Sequence, residues 1–138
     1  MRLVYAYYCL DIIHTGHLIA MRNAKELAGN DGKLIAGILT NEAVMEKKPK
    51  PILDFQERMY IAQCLKFPDL VVAQDTYSNI DNLIRFKPEI IIESDSHEDS
   101  HIIEVEKIVK QWGGRIIILP YYPAESSTNI KNRVKEIN

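Results

Sequence analysis

Leu3-Val4-Tyr5-Ala6-Tyr7-Tyr8 is followed at once by Asp11-Ile12-Ile13-His14-Thr15-Gly16-His17, and then by Leu18, Met21, Ala24 and Leu27 at helical spacing. The apolar run reads as a strand and residues 17–28 as a helix with one apolar face. A strand passing into a helix through a short polar turn is half of a β-α-β unit. The rest of the chain repeats the pattern.

A second strand is predicted at Leu34-Ile35-Ala36-Gly37-Ile38-Leu39, then a polar loop over residues 40–53. Asp54 and Glu57 have capping-box spacing for a helix reaching about residue 65. A third strand follows at Leu70-Val71-Val72-Ala73, and a short helix over 80–86 that Pro88 ends. Ile90-Ile91-Ile92 is continuous and apolar, as buried parallel strands are. A helix over about 100–112 stops at Gly113-Gly114. Ile116-Ile117-Ile118-Leu119 is a fifth strand, and a last helix starts near Ser126. Such alternation implies a parallel sheet with helices on both faces. Ligands of such sheets bind at the carboxyl ends of the strands. The segments 9–17, 40–50, 74–78, 93–97 and 121–128 should therefore converge, and they hold all but one of the histidines.

Composition narrows the class. The 138 residues suit one domain with a buried core, and the net charge of −2 has no strongly basic stretch behind it. Nucleic acid is therefore not an expected partner. Lys47, Lys48 and Lys50 cluster in one loop, interrupted by Pro49 and Pro51. No apolar run has the length of a membrane span, and no signal peptide opens the sequence. Cys9 and Cys64 are too few for a disulfide framework and read as buried thiols in a reducing cytoplasm.

The turn at residues 11–17 carries the chemistry. Gly16 lets the backbone approach a ligand, and a helix N-terminus favours an anion. Two imidazoles three residues apart can direct hydrogen bonds at one phosphoryl group. The same pair also fits a metal site, although no further ligand stands at metal-site spacing. It equally fits two histidines that cap a helix and face solvent.

His14-Thr15-Gly16-His17 after the first strand resembles the His-x-Gly-His signature of the nucleotidylyltransferase superfamily. The chain is similar to its cytidylyltransferase branch, whose second signature has a partial counterpart in Tyr121-Tyr122-Pro123-Ala124-Glu125-Ser126-Ser127-Thr128. The resemblance covers nearly the whole chain. It implies an α/β fold, a Rossmann-like three-layer sandwich with a five-stranded parallel sheet, in a single domain over residues 1–138 that can belong to a longer protein. It implies a cytoplasmic homodimer that uses CTP and Mg²⁺.

Position by position, the resemblance makes His14, His17 and Lys47 catalytic. Cys9, Leu10, Asp11, Gly16, Asp95, Ser126, Ser127 and Thr128 would bind the nucleotide, Asp95 through Mg²⁺. Lys50, Arg58 and Tyr121 would bind the acceptor. Arg58 also reads as an exposed arginine paired along its helix, the lysines as a solvated loop, and Ser126 as a simple N-cap. Tyr8-Cys9-Leu10, Tyr121 and His97 depart from the glycerol-phosphate and choline-phosphate enzymes. Gln74-Asp75-Thr76-Tyr77-Ser78, Glu93-Ser94-Asp95-Ser96-His97 and Leu119-Pro120-Tyr121-Tyr122-Pro123 instead resemble the cytidylyltransferase domains of phosphonate biosynthesis. The expected acceptor is thus a small phosphonate such as 2-hydroxyethylphosphonate. A phosphorylated alcohol, ATP-dependent adenylyl transfer and a regulatory module that only binds nucleotide stand as alternatives.

Overall fold

The computed structural model describes residues 2–95, 97–120 and 127–137. Five strands form one parallel sheet: β1 (Leu3–Tyr8), β2 (Lys33–Leu39), β3 (Leu70–Gln74), β4 (Ile90–Ser94) and β5 (Arg115–Leu119). Their order is β3-β2-β1-β4-β5, so the winding reverses between β1 and β4. The helices are α1 (Thr15–Ala28), α2 (Asn41–Met45), α3 (Phe55–Cys64), α4 (Ile80–Phe86), α5 (Asp99–Val109) and α6 (Ser127–Ile137). A single 3₁₀ turn, Lys110–Trp112, closes α5. This is the Rossmann-like α/β sandwich expected.

Strand alternation sends the two sets of side chains to opposite faces. Val4 and Ala6 pack with Ala24 and Ala28 of α1, where small residues let the helix lie close on β1. Tyr5 packs with Ile35, Ile91, Leu83 of α4 and Val105 and Val109 of α5 on the other face. Ile90 and Ile91 are fully buried, as a continuous apolar strand covered on both faces must be. Gly37 is needed where it stands, because a Cβ there would lie 2.0 Å from the Tyr5 hydroxyl. That hydroxyl donates to Gln74 Oε1 (2.6 Å) and accepts from Asn82 Nδ2 (2.9 Å).

Three expectations change. The loop predicted over 40–53 contains a five-residue helix, α2, capped by Thr40 Oγ1 on the Ala43 amide. A helix this short carries too few apolar positions to show a period. Asp54 does stand at the N-cap of α3, but its side chain makes no capping hydrogen bond. Cys64 is exposed, because it closes α3 on the solvent side; Cys9 is half-buried, and both thiols are free.

Candidate active site

The chain leaves β1 through Leu10, a non-glycine residue at φ 58, and enters α1 at His14. Leu10 is fully buried against Met21, Ile38 and Ala62, so its side chain packs the core and does not face a nucleotide. Buried Asp11 accepts from the Ile52 amide (3.0 Å), the Leu53 amide (2.8 Å) and the Lys131 ammonium. Burial alone would raise its pKa, but these donors together lower it. Asp11 thus ties the turn to the loop before α3 and to α6. Ser127 Oγ adds a second tie, donating to Ile12 O at 2.7 Å.

His14 and His17 form a reciprocal capping box. His14 Nδ1 accepts from the Gly16 amide at 3.0 Å, and His17 Nδ1 accepts from the His14 amide at 3.2 Å. An Nδ1 that accepts carries no proton, so each neutral ring holds its proton on Nε2, away from the cap. The rings lie 4.1 Å apart, centroid to centroid. Burial, and then the proximity of His14, push the His17 pKa down to about 4. His17 is therefore a neutral donor at physiological pH. The Gly16, His17 and Leu18 amides are taken up by His14, so the turn holds these three N–H groups within its own cap. The capping reading is realised, through the Nδ1 edge of both rings.

Arg58 stands elsewhere than expected. It is fully buried and donates to Leu53 O (3.0 Å), Cys9 O (2.8 Å), Leu39 O (2.6 Å) and Asn41 Oδ1 (2.8 Å). The guanidinium gathers the carbonyl just past β1 and the last carbonyl of β2, so it is not an exposed acceptor-binding arginine. Among the described residues no carboxylate pairs with it. A buried, unneutralised cation under the strand ends favours anions above them.

Lys47, just past α2, is exposed. Its ammonium lies 3.9 Å from Glu98 Oε1 and 5.6 Å from the Tyr77 ring centroid. Glu46 Oε2 accepts from the Tyr77 amide at 2.9 Å. The segments after β2, β3 and β4 thus meet over the carboxyl edge of the sheet. Lys50 and Thr128 are exposed, and Gly16 is buried in the first turn of α1. Tyr121 and Ser126 lie outside the described residues.

Glu93, at the end of β4, was not among the expected site residues. It is almost completely buried and meets Tyr7 Oη (2.8 Å), Asn79 Nδ2 (2.9 Å), His97 Nδ1 (2.6 Å) and His101 Nε2 (3.3 Å). Burial would raise its pKa, but hydrogen bonds from His101, His97 and Tyr7 bring it down to about 2. Tyr7 stacks on His97 at 5.5 Å. Asn79 is also buried, and among the described residues its Oδ1 has no hydrogen-bond partner. A sequence signal did exist: a glutamate directly after three isoleucines of a buried strand needs partners.

Among the described residues no three His, Cys, Asp or Glu side chains gather as a metal site. Asp95 is exposed in the turn after β4. A single exposed carboxylate does not make a metal site by itself.

The chain has relatives among known proteins. Residues 7–133 match the family described as cytidylyltransferase-like. The chain belongs to the cytidylyltransferase-like family. It is 34% identical over 126 residues to the FAD synthase of Korarchaeum cryptofilum, covering 90% of this chain and 85% of that protein. It is 27% identical over 132 residues to the bifunctional protein HldE of Methylobacillus flagellatus, spanning 94% of this chain but only 26% of HldE. The crystal structure of a lipopolysaccharide core biosynthesis protein from Thermoplasma volcanium superposes with a TM-score of 0.74 at 23% identity, over 91% of this chain and 99% of that one. As a member of the cytidylyltransferase-like family, the chain is an enzyme of the nucleotidyltransferase class. No helix among its described residues is long and apolar enough to cross a membrane.

Proposed function

We propose that this nucleotidyltransferase moves CMP from Mg²⁺-bound CTP to an oxygen of a small phosphonate such as 2-hydroxyethylphosphonate, releasing pyrophosphate. The observation that supports phosphate handling is the His14–His17 pair, two imidazoles 4.1 Å apart at the N-terminus of α1 directly after β1. The phosphonate oxygen attacks the α-phosphorus and forms the new P–O bond. The bond from that phosphorus to the bridging oxygen breaks, and pyrophosphate leaves with its electron pair. The nucleophile is already an anion, so no strong base is required. The barrier is the meeting of anions, and catalysis is positioning and charge neutralisation.

In this reading His14 and His17 donate to phosphoryl oxygens as charge develops. Lys47 leaves Glu98 and closes on the triphosphate; both partners are exposed, so their pairing is weak and easily exchanged. Mg²⁺ bound to the triphosphate supplies further neutralisation, with Asp95 the carboxylate available to it. Ser127 and Thr128, at the start of α6, are assigned to the phosphates on the resemblance. Ser127 is spent in part on holding α6 to the turn. A homodimer and a cytoplasmic location complete the reading, both on the resemblance. Choice of CTP and a phosphonate rests on the segments 74–78, 93–97 and 119–123.

A second reading has its own support. The similarity to an FAD synthase over 90% of the chain favours adenylyl transfer from ATP to flavin mononucleotide. Pyrophosphate release measured with CTP and ATP against 2-hydroxyethylphosphonate, glycerol 3-phosphate and flavin mononucleotide separates them. Turnover with CTP and the phosphonate is expected, and a preference for ATP with flavin mononucleotide overturns it. His14→Ala and His17→Ala should each lower kcat by about two orders of magnitude or more. Near-normal activity in either variant would remove the phosphate-site assignment.

A further inference from the structure

Lys47 follows a helix too short to place itself. A five-residue segment such as α2 makes little more than one turn, and an isolated turn is unstable in water. Its place over the sheet comes from what it touches. Ala43 and Val44 pack with Leu39 and the Tyr77 ring, and both ends of α2 are tied to Gln74, the last residue of β3. The Gln74 carbonyl accepts from the Thr40 amide at 3.0 Å, and Thr40 is the N-cap of α2. The Gln74 side chain is almost fully buried, and its Nε2 donates to Thr76 O (3.1 Å) and Tyr77 O (3.2 Å). Its Oε1 accepts from the Tyr5 hydroxyl, so Gln74 is itself held from β1.

The other end of α2 is tied through Tyr77. Glu46, the C-cap of α2, accepts from the Tyr77 amide at 2.9 Å. A carboxylate at a helix C-terminus gains nothing from the helix dipole. One that stands beside a lysine meant for phosphates also repels the anions that lysine must attract. Neither the helix nor the field of the site accounts for an acid at this position. The hydrogen bond to Tyr77 does.

We propose that Glu46 and Gln74 are positioning residues for Lys47: Gln74 fixes the turn over residues 75–78, and Glu46 clips the end of α2 to that turn, so that the Lys47 ammonium starts beside the Tyr77 ring. This rests on the nucleotidyl-transfer reading above and names what aims its lysine. The ammonium lies 5.6 Å from the Tyr77 ring centroid, and the Lys47 amide donates to Val44 O at 3.1 Å. With the backbone tied at both ends of α2, only the side chain has to leave Glu98. A group already in place contributes more at the transition state than one that must be ordered there. Glu46 and Gln74 touch no reacting atom in this reading and act through Lys47.

A purely structural part for the two residues has different consequences. Gln74 also serves the Tyr5 hydroxyl, so its loss lowers stability whatever Lys47 does. Glu46 is exposed, so its loss should leave the Tm nearly unchanged, and an effect on turnover then comes through the loop. A double-mutant cycle with Lys47 separates the two cases, because residues that act through one another are non-additive.

The test uses the intact protein with the nucleotide and acceptor that turn over. Glu46→Ala should lower kcat about tenfold and keep the nucleotide KM within about twofold of the parent. Glu46→Gln keeps an oxygen acceptor for the Tyr77 amide and should hold kcat within about twofold of the parent. In a Lys47→Ala background, Glu46→Ala and Gln74→Met should each cost less than about twofold more. In ¹³C-lysine-labelled protein the Lys47 Cε signal, assigned with Lys47→Arg, should move in Glu46→Ala and Gln74→Met and stay in Glu46→Gln. Melting curves establish that the variants are folded, and Glu46→Ala decides the matter should Gln74→Met fail to fold. Losses equally large with and without Lys47, Glu46→Gln as slow as Glu46→Ala, or a Lys47 signal unmoved by Glu46→Ala overturns the positioning while leaving nucleotidyl transfer standing. Turnover absent with every nucleotide and acceptor overturns the function, and the Lys47 signal then decides the positioning by itself.

Discussion

Replacing Arg58 by methionine asks whether this arginine serves the substrate or the fold. The side chain is fully buried and makes four hydrogen bonds, to three backbone carbonyls and Asn41 Oδ1. Methionine fills much of the volume but offers no donor. The bond to Leu39 O is buried, so that carbonyl loses its partner where water cannot replace it, at about 1–3 kcal/mol. The other three acceptors are partly reached by water and forfeit roughly 0.5–1 kcal/mol each. Relief of the desolvated charge offsets some of this. A net loss of about 3 kcal/mol results, a large share of the roughly 5–15 kcal/mol that holds a domain of this kind. Arg58→Lys keeps the charge but not the planar fork that reaches three segments at once, and should lose about 2 kcal/mol. Urea unfolding followed through Trp112 fluorescence measures both. CTP affinity below the unfolding transition should change little by comparison. The reasoning fails if Arg58→Met stays within about 0.5 kcal/mol of the parent while acceptor or nucleotide binding collapses, because the guanidinium would then be spent on substrate.

Further outcomes follow from the same geometry. His17 should titrate near 4 by histidine NMR, and His14→Gln should move that midpoint part of the way toward 6.5, since burial outranks the His14 contribution. A folded-state pKa depressed below the unfolded value means that the unfolded chain binds the proton first. The contribution of His17 is thus full above about pH 6.5 and is lost as pH falls from there toward 4. A midpoint unmoved from 6.5 would show the ring to be exposed and the cap absent. Gly37→Ala places a Cβ 2.0 Å from the Tyr5 hydroxyl, between β1 and the Tyr5–Gln74–Asn82 network. A cost of about 1–3 kcal/mol is expected from forcing that ring aside, read as a lowered Tm, and an unchanged Tm would contradict the packing described.

The proposed role of Lys47 asks for a side chain that can move. Lys47 is held by one exposed carboxylate and a ring at 5.6 Å, contacts that solvent screens and thermal motion breaks. Glu46, one residue earlier, is anchored on the Tyr77 amide. The backbone here is fixed, with the Lys47 amide on Val44 O at 3.1 Å, while the exposed ammonium is only weakly held; on the proposed reading that suits a group that must close on a polyanion and release product.

Local pattern by itself determined the five strands, the principal helices and the parallel sheet, because burial on both faces writes continuous apolar runs and an amphipathic helix writes a period. It also located His14 and His17, since a glycine turn between strand and helix is a local event. The short α2 left no period to find. Roles for Arg58 and Glu93 were beyond local pattern for a different reason. Each is a charged residue whose partners lie on other elements: Cys9, Leu39 and Asn41 for Arg58, and Tyr7, Asn79 and His101 for Glu93. Glu57-Arg58 in a helix and Ile92-Glu93 in a strand look alike whether the charge faces water, a substrate or the backbone. Only the tertiary structure decided it, by closing one guanidinium over the strand ends and folding two imidazoles onto one carboxylate. A buried charge is defined by what surrounds it, and those surroundings exist only once the sheet has formed.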